Sequence, residues 1–356
     1  MPDFTLASQI LLDAVRNGAF PAAVAEVGTA DEILWDHAVG SISSGSDTRV
    51  TPIDTLFDLA SLTKVLATTS LAMHAVEQEW LTLDQPVSRW IPDWRGDDRE
   101  DVTIQDLLAH TSGLTAHLPY FRDHTGRSEF EHAICTMPLE YSPRTRAVYS
   151  DLGFILLGFI LADSDPNGRR LDDQFHVQAE YRQWGELRYR PPMSWRRRTA
   201  PTEVDTWRGR LLVGEVHDQN AWALGGIAGH SGLFGTARSV GAFARDILAA
   251  LQGETTLALP ETVAAFARRT TVMNSSRALG WDTMCLTSSC GISMSTEAIG
   301  HTGFTGTSLW IDPLADTYVA LLTNRVYPSR SNNRILEIRP AFHNAVMDAI
   351  ATERTR

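Results

Sequence analysis

Lysine is almost absent from this chain: among 31 basic residues Lys64 alone is a lysine, and the others are arginines. Arginine keeps its proton in proteins, whereas an ammonium on a flexible stem can be pushed by its surroundings to release one. Replacement of lysine by arginine everywhere but at one position therefore marks Lys64 as a residue needed for proton chemistry. Cysteine is scarce as well. Cys135, Cys285 and Cys290 form no disulfide framework and match no zinc spacing, so buried structural thiols are expected and no metal site. Positive charge is in deficit, and a net charge of −12 argues against a nucleic-acid partner. No run of about 18 apolar residues is present, which excludes a spanning helix. The start, Met1 to Thr5, lacks the basic-then-apolar pattern of a signal peptide. The expectation is a cytoplasmic protein with no membrane contact.

What is present is enough for a large core. With 356 residues and 43% hydrophobic content, the chain is expected to divide into two lobes. Three residues before Lys64 stands Ser61, and in a helix residues three apart share a face, so hydroxyl and amine can come within hydrogen-bond reach. A serine hydroxyl is a poor nucleophile until a neighbouring base activates it. Bare Ser-x-x-Lys arises by chance about once in a chain of this size. The lone lysine is what lifts this pair above that background.

Ile10, Leu11, Ala14 and Val15 predict an N-terminal helix, and Ala22 to Val27 and Ile33 to Val39 predict two strands. From Ser61 to about Glu79 the pattern turns helical, with Leu62, Val65, Leu66, Thr69, Ala72, Met73 and Val76 covering a broad face. Ser61 would then sit at the first turn, where free N–H groups and the positive dipole end favour an anion. Thr103 and Asp106 are spaced as a capping box ahead of a helix that runs into His110-Thr111-Ser112-Gly113-Leu114. Tyr149-Ser150-Asp151 precedes a strongly apolar stretch, which places these three on a loop at the mouth of a buried helix.

From 168 to 210 arginine and tryptophan are dense and periodicity is weak, predicting a long irregular excursion. A solvated basic surface is the plain reading; a recognition wall built on Trp184 and Trp195 is the functional one. His217, Asp218 and His230 lack a short ligand pair, so polar loop residues near a site are expected. Segments 280–284, 307–311 and 317–322 read as strands, and a helix from about Pro340 to Ile350 closes the chain. The fold class is α+β, an antiparallel sheet flanked by helices. Residues 1–60 and 271–356 are assigned to the sheet domain and 61–270 to an inserted, mainly helical lobe.

Ser61-x-x-Lys64, Tyr149-Ser150-Asp151 and His301-Thr302-Gly303, in this order and with His110 to Leu114 and Leu321 to Arg325 around them, resemble the three motifs of the serine β-lactamase and penicillin-binding-protein superfamily, in particular its class C-like branch. Val216 to Asn220 with the glycines that follow is similar to a subgroup of cell-wall amidases and serine hydrolases. The resemblance implies a β-lactamase/transpeptidase-like fold and no cofactor. It implies an acyl-enzyme on Ser61, with Lys64 and Tyr149 sharing the proton work and either as the formal base. Backbone N–H groups of Ser61 and Phe304 would form the oxyanion hole. Asp151, His301, Thr302, Gly303, His217, Asp218 and Arg325 would contact a small-molecule or muropeptide substrate.

Two departures stand out. The second motif ends in Asp151 where an asparagine is usual, and a carboxylate there should favour a charged Lys64. His301 begins the third motif where β-lactamases have lysine, so the charge that holds a substrate carboxylate is expected from Arg325 or Arg330. The reading is a serine hydrolase acting through an acyl-serine intermediate on an amide or peptide bond of a cell-wall-derived molecule, of muropeptide or D-alanine type, or of a β-lactam-like substrate. A carboxylesterase, and a sensor or binder that acylates without turnover, are the alternatives.

Overall fold

The computed structural model describes residues 1–42 and 49–355. The chain opens with helix α1 (Thr5–Arg16) and the hairpin of β1 (Ala22–Gly28) and β2 (Ile33–Gly40), as its periodicity predicts. After a two-residue strand, β3 (Phe57–Asp58), comes the helix that follows Ser61, whose stretch Lys64–Thr69 is a π-helical turn before α2 (Ser70–Glu77). The capping box of Thr103 and Asp106 is formed and starts α3 (Ile104–Leu108). Helix α4 (Gly126–Thr136) precedes α5 (Asp151–Ser164), an almost wholly buried helix capped by the Ser150 hydroxyl.

The stretch expected to be irregular holds regular structure: helix α6 (Leu171–Tyr181), strand β4 (Leu187–Tyr189), a 3₁₀ segment Met193–Arg198, and the short pair β5 (Val204–Asp205) and β6 (Arg210–Leu211). Trp184 is buried and donates its indole N–H to Asp246 at 2.7 Å, which removes it from any recognition wall. Periodicity missed α6 because its charged outer face dilutes a narrow apolar one, Leu171, Phe175 and Ala179.

Helix α7 (Gln219–Ala223) and strand β7 (Leu233–Gly235) lead to α8 (Ala237–Leu251) and α9 (Pro260–Ala267), then to β8 (Asp282–Thr283), β9 (Ile299–Thr302), β10 (Ser308–Asp312) and β11 (Thr317–Thr323). The final helix α10 (Ile335–Arg354) begins earlier than expected and carries Pro340 inside it.

The main sheet is antiparallel with order β2-β1-β11-β10-β9-β8, so its centre pairs strands from the two ends of the chain, Ala23 opposite Thr323 and Val27 opposite Val319. Every residue of β1 is buried, because side chains alternate between two covered faces. Ala22 and Val24 enter one core with α5 and α8; Ala23, Ala25 and Val27 enter the other with α1 and α10. Helix α8 lies in the span assigned to the helical lobe, yet it packs on the sheet. At Gly241 a Cβ would meet the Glu26 carboxylate at 1.9 Å, so the absence of a side chain there lets the helix approach. The architecture is an antiparallel sheet flanked by helices, as expected from the order of elements.

Candidate active site

The site is built first from the turn before Ser61. Asp58, at the end of β3, accepts the N–H of Ala60 at 2.9 Å on one oxygen and the N–H of His217 at 2.6 Å on the other. Ala60 then adopts φ of 46°, a left-handed conformation uncommon for a residue with a Cβ. This clamp turns the chain so that Ser61 leads into the helix and its carbonyl accepts the Lys64 N–H at 3.1 Å. The third motif presses on the same turn: a Cβ on Gly303 would lie 2.5 Å from the Leu59 carbonyl oxygen.

Lys64 has no exposed surface. Its Nζ donates to Ser61 Oγ at 3.0 Å, to Asp151 Oδ1 at 2.7 Å and to the His230 carbonyl at 3.2 Å. An ammonium has three protons, and here they meet three acceptors. Burial works against the charge, but Asp151 and then Tyr149 outweigh it, and the lysine pKa is raised. Asp151 is likewise held below the usual carboxylate range, burial opposing and Lys64 prevailing. Lys64 therefore rests as an ammonium. Tyr149, whose ring centre is 4.8 Å from Nζ, has its pKa raised by burial with Lys64 opposing, so it rests as a phenol.

These residues open into a cavity of about 410 Å³, lined by Ser61, Tyr149, Arg277, His301, Thr302 and Phe304 among others. The backbone N–H groups of Ser61 and Phe304 donate to no described residue. His301 is buried, and its Nδ1 lies 2.9 Å from the Thr302 carbonyl, which fixes the proton on that nitrogen and leaves Nε2 an acceptor with no partner among the described residues. Burial first, then Lys64 and Arg277, hold its pKa well below the usual value. The ring is neutral at working pH and offers no cation for a substrate.

The arginines expected to supply that charge are engaged elsewhere. Arg325 borders the cavity but donates from Nε to the Phe304 carbonyl at 2.7 Å and from Nη1 to the carbonyls of Arg330 and Asn332. Its work is to hold the loop of Phe304, over whose ring it also lies at 4.3 Å. Arg330 pairs with Glu203 at 2.7 Å. Among the described residues Arg277 borders the cavity with a guanidinium that donates to no protein group, and sequence reasoning missed it. Its guanidinium lies 5.0 Å from the Tyr149 ring centre and, among the described residues, pairs with no carboxylate. No local pattern marks it, since it sits on an irregular segment brought in by the packing of β8.

His217 and Asp218 do not border the cavity, contrary to expectation. His217 bonds Glu203 through Nε2 at 2.8 Å and stacks on Phe304 at 5.7 Å. Asp218 caps α7 through the Ala221 N–H at 2.7 Å and meets His230 Nε2 at 2.9 Å. Both support the loops behind the site. Among the described residues no three His, Cys, Asp or Glu side chains group to hold a metal ion.

The sequence matches the family model described as Beta-lactamase across residues 8–340. The chain belongs to the Beta-lactamase family. It is a serine hydrolase of that family. A Salmonella agona (strain SL483) protein named "Putative D-alanyl-D-alanine carboxypeptidase" is 28% identical over 312 residues, which are 79% of this chain and 72% of that protein. Two solved structures share the fold. "EstCE1, a hydrolase with promiscuous acyltransferase activity" superposes with a TM-score of 0.75 at 21% identity, covering 96% of this chain and 97% of that one. A class C beta lactamase from Rhodobacter sphaeroides gives 0.74 at 19% identity, covering 99% of each. The antiparallel sheet with its flanking helices is thus the β-lactamase/transpeptidase fold. Among the described residues no helix is long and apolar enough to cross a membrane.

Proposed function

We propose that this Beta-lactamase-family hydrolase cleaves an amide or peptide bond of a cell-wall-derived molecule of D-alanine type, through an acyl-serine intermediate on Ser61 and without a cofactor. One observation carries the reading: the sole lysine of the chain is fully buried, with its Nζ 3.0 Å from Ser61 Oγ. In this reading Ser61 attacks the carbonyl, and Lys64 and Tyr149 move the proton from Oγ to the leaving group. The free N–H groups of Ser61 and Phe304 receive the developing oxyanion, where loss of one such donor typically costs about 3 to 4 kcal/mol. Arg277 supports a substrate with a carboxylate, since its fork faces the cavity without a protein anion. The name of the Salmonella relative points the same way. A carboxylesterase is the second reading, favoured by the neutral His301 at the substrate-facing strand end.

A fluorophosphonate probe followed by intact-mass measurement should give one adduct, on the peptide of Ser61 and absent in Ser61→Ala. An adduct that persists in that variant rejects the assignment. Turnover of muropeptides, p-nitrophenyl esters and nitrocefin then ranks the substrates. Arg277→Ala should raise KM for a carboxylate-bearing peptide about 10-fold or more, the size of a lost charge-assisted hydrogen bond, and hardly affect a neutral ester. Equal effects on both would favour the esterase.

A further inference from the structure

Asp151 has a second partner. One of its oxygens accepts a hydrogen bond from Lys64 Nζ at 2.7 Å, and the other lies 3.5 Å from Nδ1 of His117. Lys64 is sealed and the Asp151 side chain is 18% exposed, but that of His117 is 44% exposed. A line of polar groups thus runs from Ser61 through Lys64 and Asp151 to a titratable ring in contact with solvent. The placement of that ring is built. The Asp151 N–H donates to the Ala116 carbonyl at 2.9 Å, Ser150 Oγ to the Thr115 carbonyl at 2.7 Å, and Asn220 Nδ2 to the Leu118 carbonyl at 2.8 Å. Residues on both sides of His117 are therefore fastened around Asp151.

The charged groups facing His117 come from three elements. Asp151 leads α5, Asp218 caps α7 with His230 as its own partner, and Lys64 follows Ser61. The bond to Asp151 raises the His117 pKa, burial opposes, Asp218 adds to the rise and Lys64 subtracts from it. The net effect raises its pKa from the ordinary histidine value.

We propose that His117 is a positioning residue whose charge decides whether Asp151 can accept a proton from Lys64, and through it whether Lys64 can serve Ser61. This rests on the acyl-serine reading above. With His117 neutral, the Oγ–H bond breaks as Oγ bonds to the carbonyl carbon and the carbonyl electron pair moves onto its oxygen. The Ser61 proton joins Nζ, and one Nζ proton passes to Asp151 Oδ1. Lysine stays an ammonium and Asp151 becomes a neutral acid. On collapse Lys64 protonates the leaving group, and Asp151 returns its proton to Nζ. With His117 protonated, the imidazolium 3.5 Å from Oδ2 stabilises the carboxylate. The transfer from Lys64 is then opposed, and acylation falls as pH drops through the His117 transition.

The single lysine makes the test direct. Protein labelled with ¹³Cε-lysine gives one lysine resonance, that of Lys64. Its shift should step at the same pH as the His117 ring signals, with a midpoint above the ordinary histidine value of about 6.5, and the step should vanish in His117→Gln. Single-turnover acylation should be about 10-fold slower near pH 6 than near pH 8.5, a barrier difference of about 1.4 kcal/mol. In His117→Gln that ratio should approach one, and His117→Arg should be slow at both. A lysine signal without the step, or a step that survives in His117→Gln, overturns the proposal. A step that tracks His117 in protein that acylates nothing leaves the coupling standing and overturns the hydrolase reading instead.

Discussion

At the scale of the residue, the question is what a lysine does that an arginine cannot. Lys64 sits among three acceptors in a space with no exposed surface, and a planar guanidinium would neither fit those three directions nor yield its proton. Lys64→Arg should therefore abolish acylation in folded protein. Lys64→Met, which fills the space but leaves the Asp151 carboxylate without its ammonium and with only His117 beside it, should do the same and also lower stability by about 1 to 3 kcal/mol. Single-turnover acylation of each variant, beside its melting curve, separates the two effects. A rate within about 10-fold of the parent in either, roughly 1.4 kcal/mol of barrier, would show that Lys64 does not handle the proton. At this scale the sequence was most informative, because counting lysines needs no neighbours. It was least informative for Arg277 and His117, whose partners lie more than a hundred and more than thirty residues away along the chain.

At the scale of the element, the end of β9 and the turn before Ser61 are held together by a missing side chain. Gly303 faces the Thr307 hydroxyl and the backbone oxygen of Leu59; the hydroxyl can rotate away, but the backbone oxygen cannot. Gly303→Ala should push the strand from the nucleophile, costing about 1 to 3 kcal/mol of stability, as overpacking commonly does, and slowing acylation. Gly153→Ala is the control. It lies in the first turn of α5, where a Cβ would meet Leu107 no closer than 3.6 Å, and it should be neutral or stabilising by up to about 1 kcal/mol. Paired melting temperatures and acylation rates test both, and equal losses would refute the steric account. The capping box before α3 was readable locally, since it joins residues three apart. Helix α6 was not, because its narrow apolar face becomes informative only against α5 and β4.

At the scale of the molecule, distant segments are pinned by single buried carboxylates. Glu203 accepts from His217 Nε2 at 2.8 Å and from both the backbone and the guanidinium of Arg330, tying the chain just before β5 to the chain after β11. Burial would raise its pKa, but His217 and Arg330 prevail and lower it to about 2. A depressed carboxylate contributes stability that is complete above its unfolded pKa of about 4.3 and is lost as pH falls through the folded value. Glu203→Gln should accordingly be less stable by about 2 kcal/mol near neutrality, and that deficit should shrink below about pH 4 and vanish near pH 2. Denaturant unfolding of both proteins across that range measures it, and a deficit independent of pH would show that geometry rather than charge is at work.

The sequence by itself determined the strands of the hairpin, the strands that return at the far end, the helix after Ser61 and the pairing of Ser61 with Lys64. Those depend on periodicity and spacing over a few residues, which the backbone converts directly into shared faces. Tertiary structure alone decided which cation faces the cavity, why His301 is neutral, and what His217, Asp218 and Arg325 hold. A titratable side chain takes its charge from burial and from partners within a few ångströms. Here those partners come from strands, helices and loops that only the assembled antiparallel sheet brings side by side.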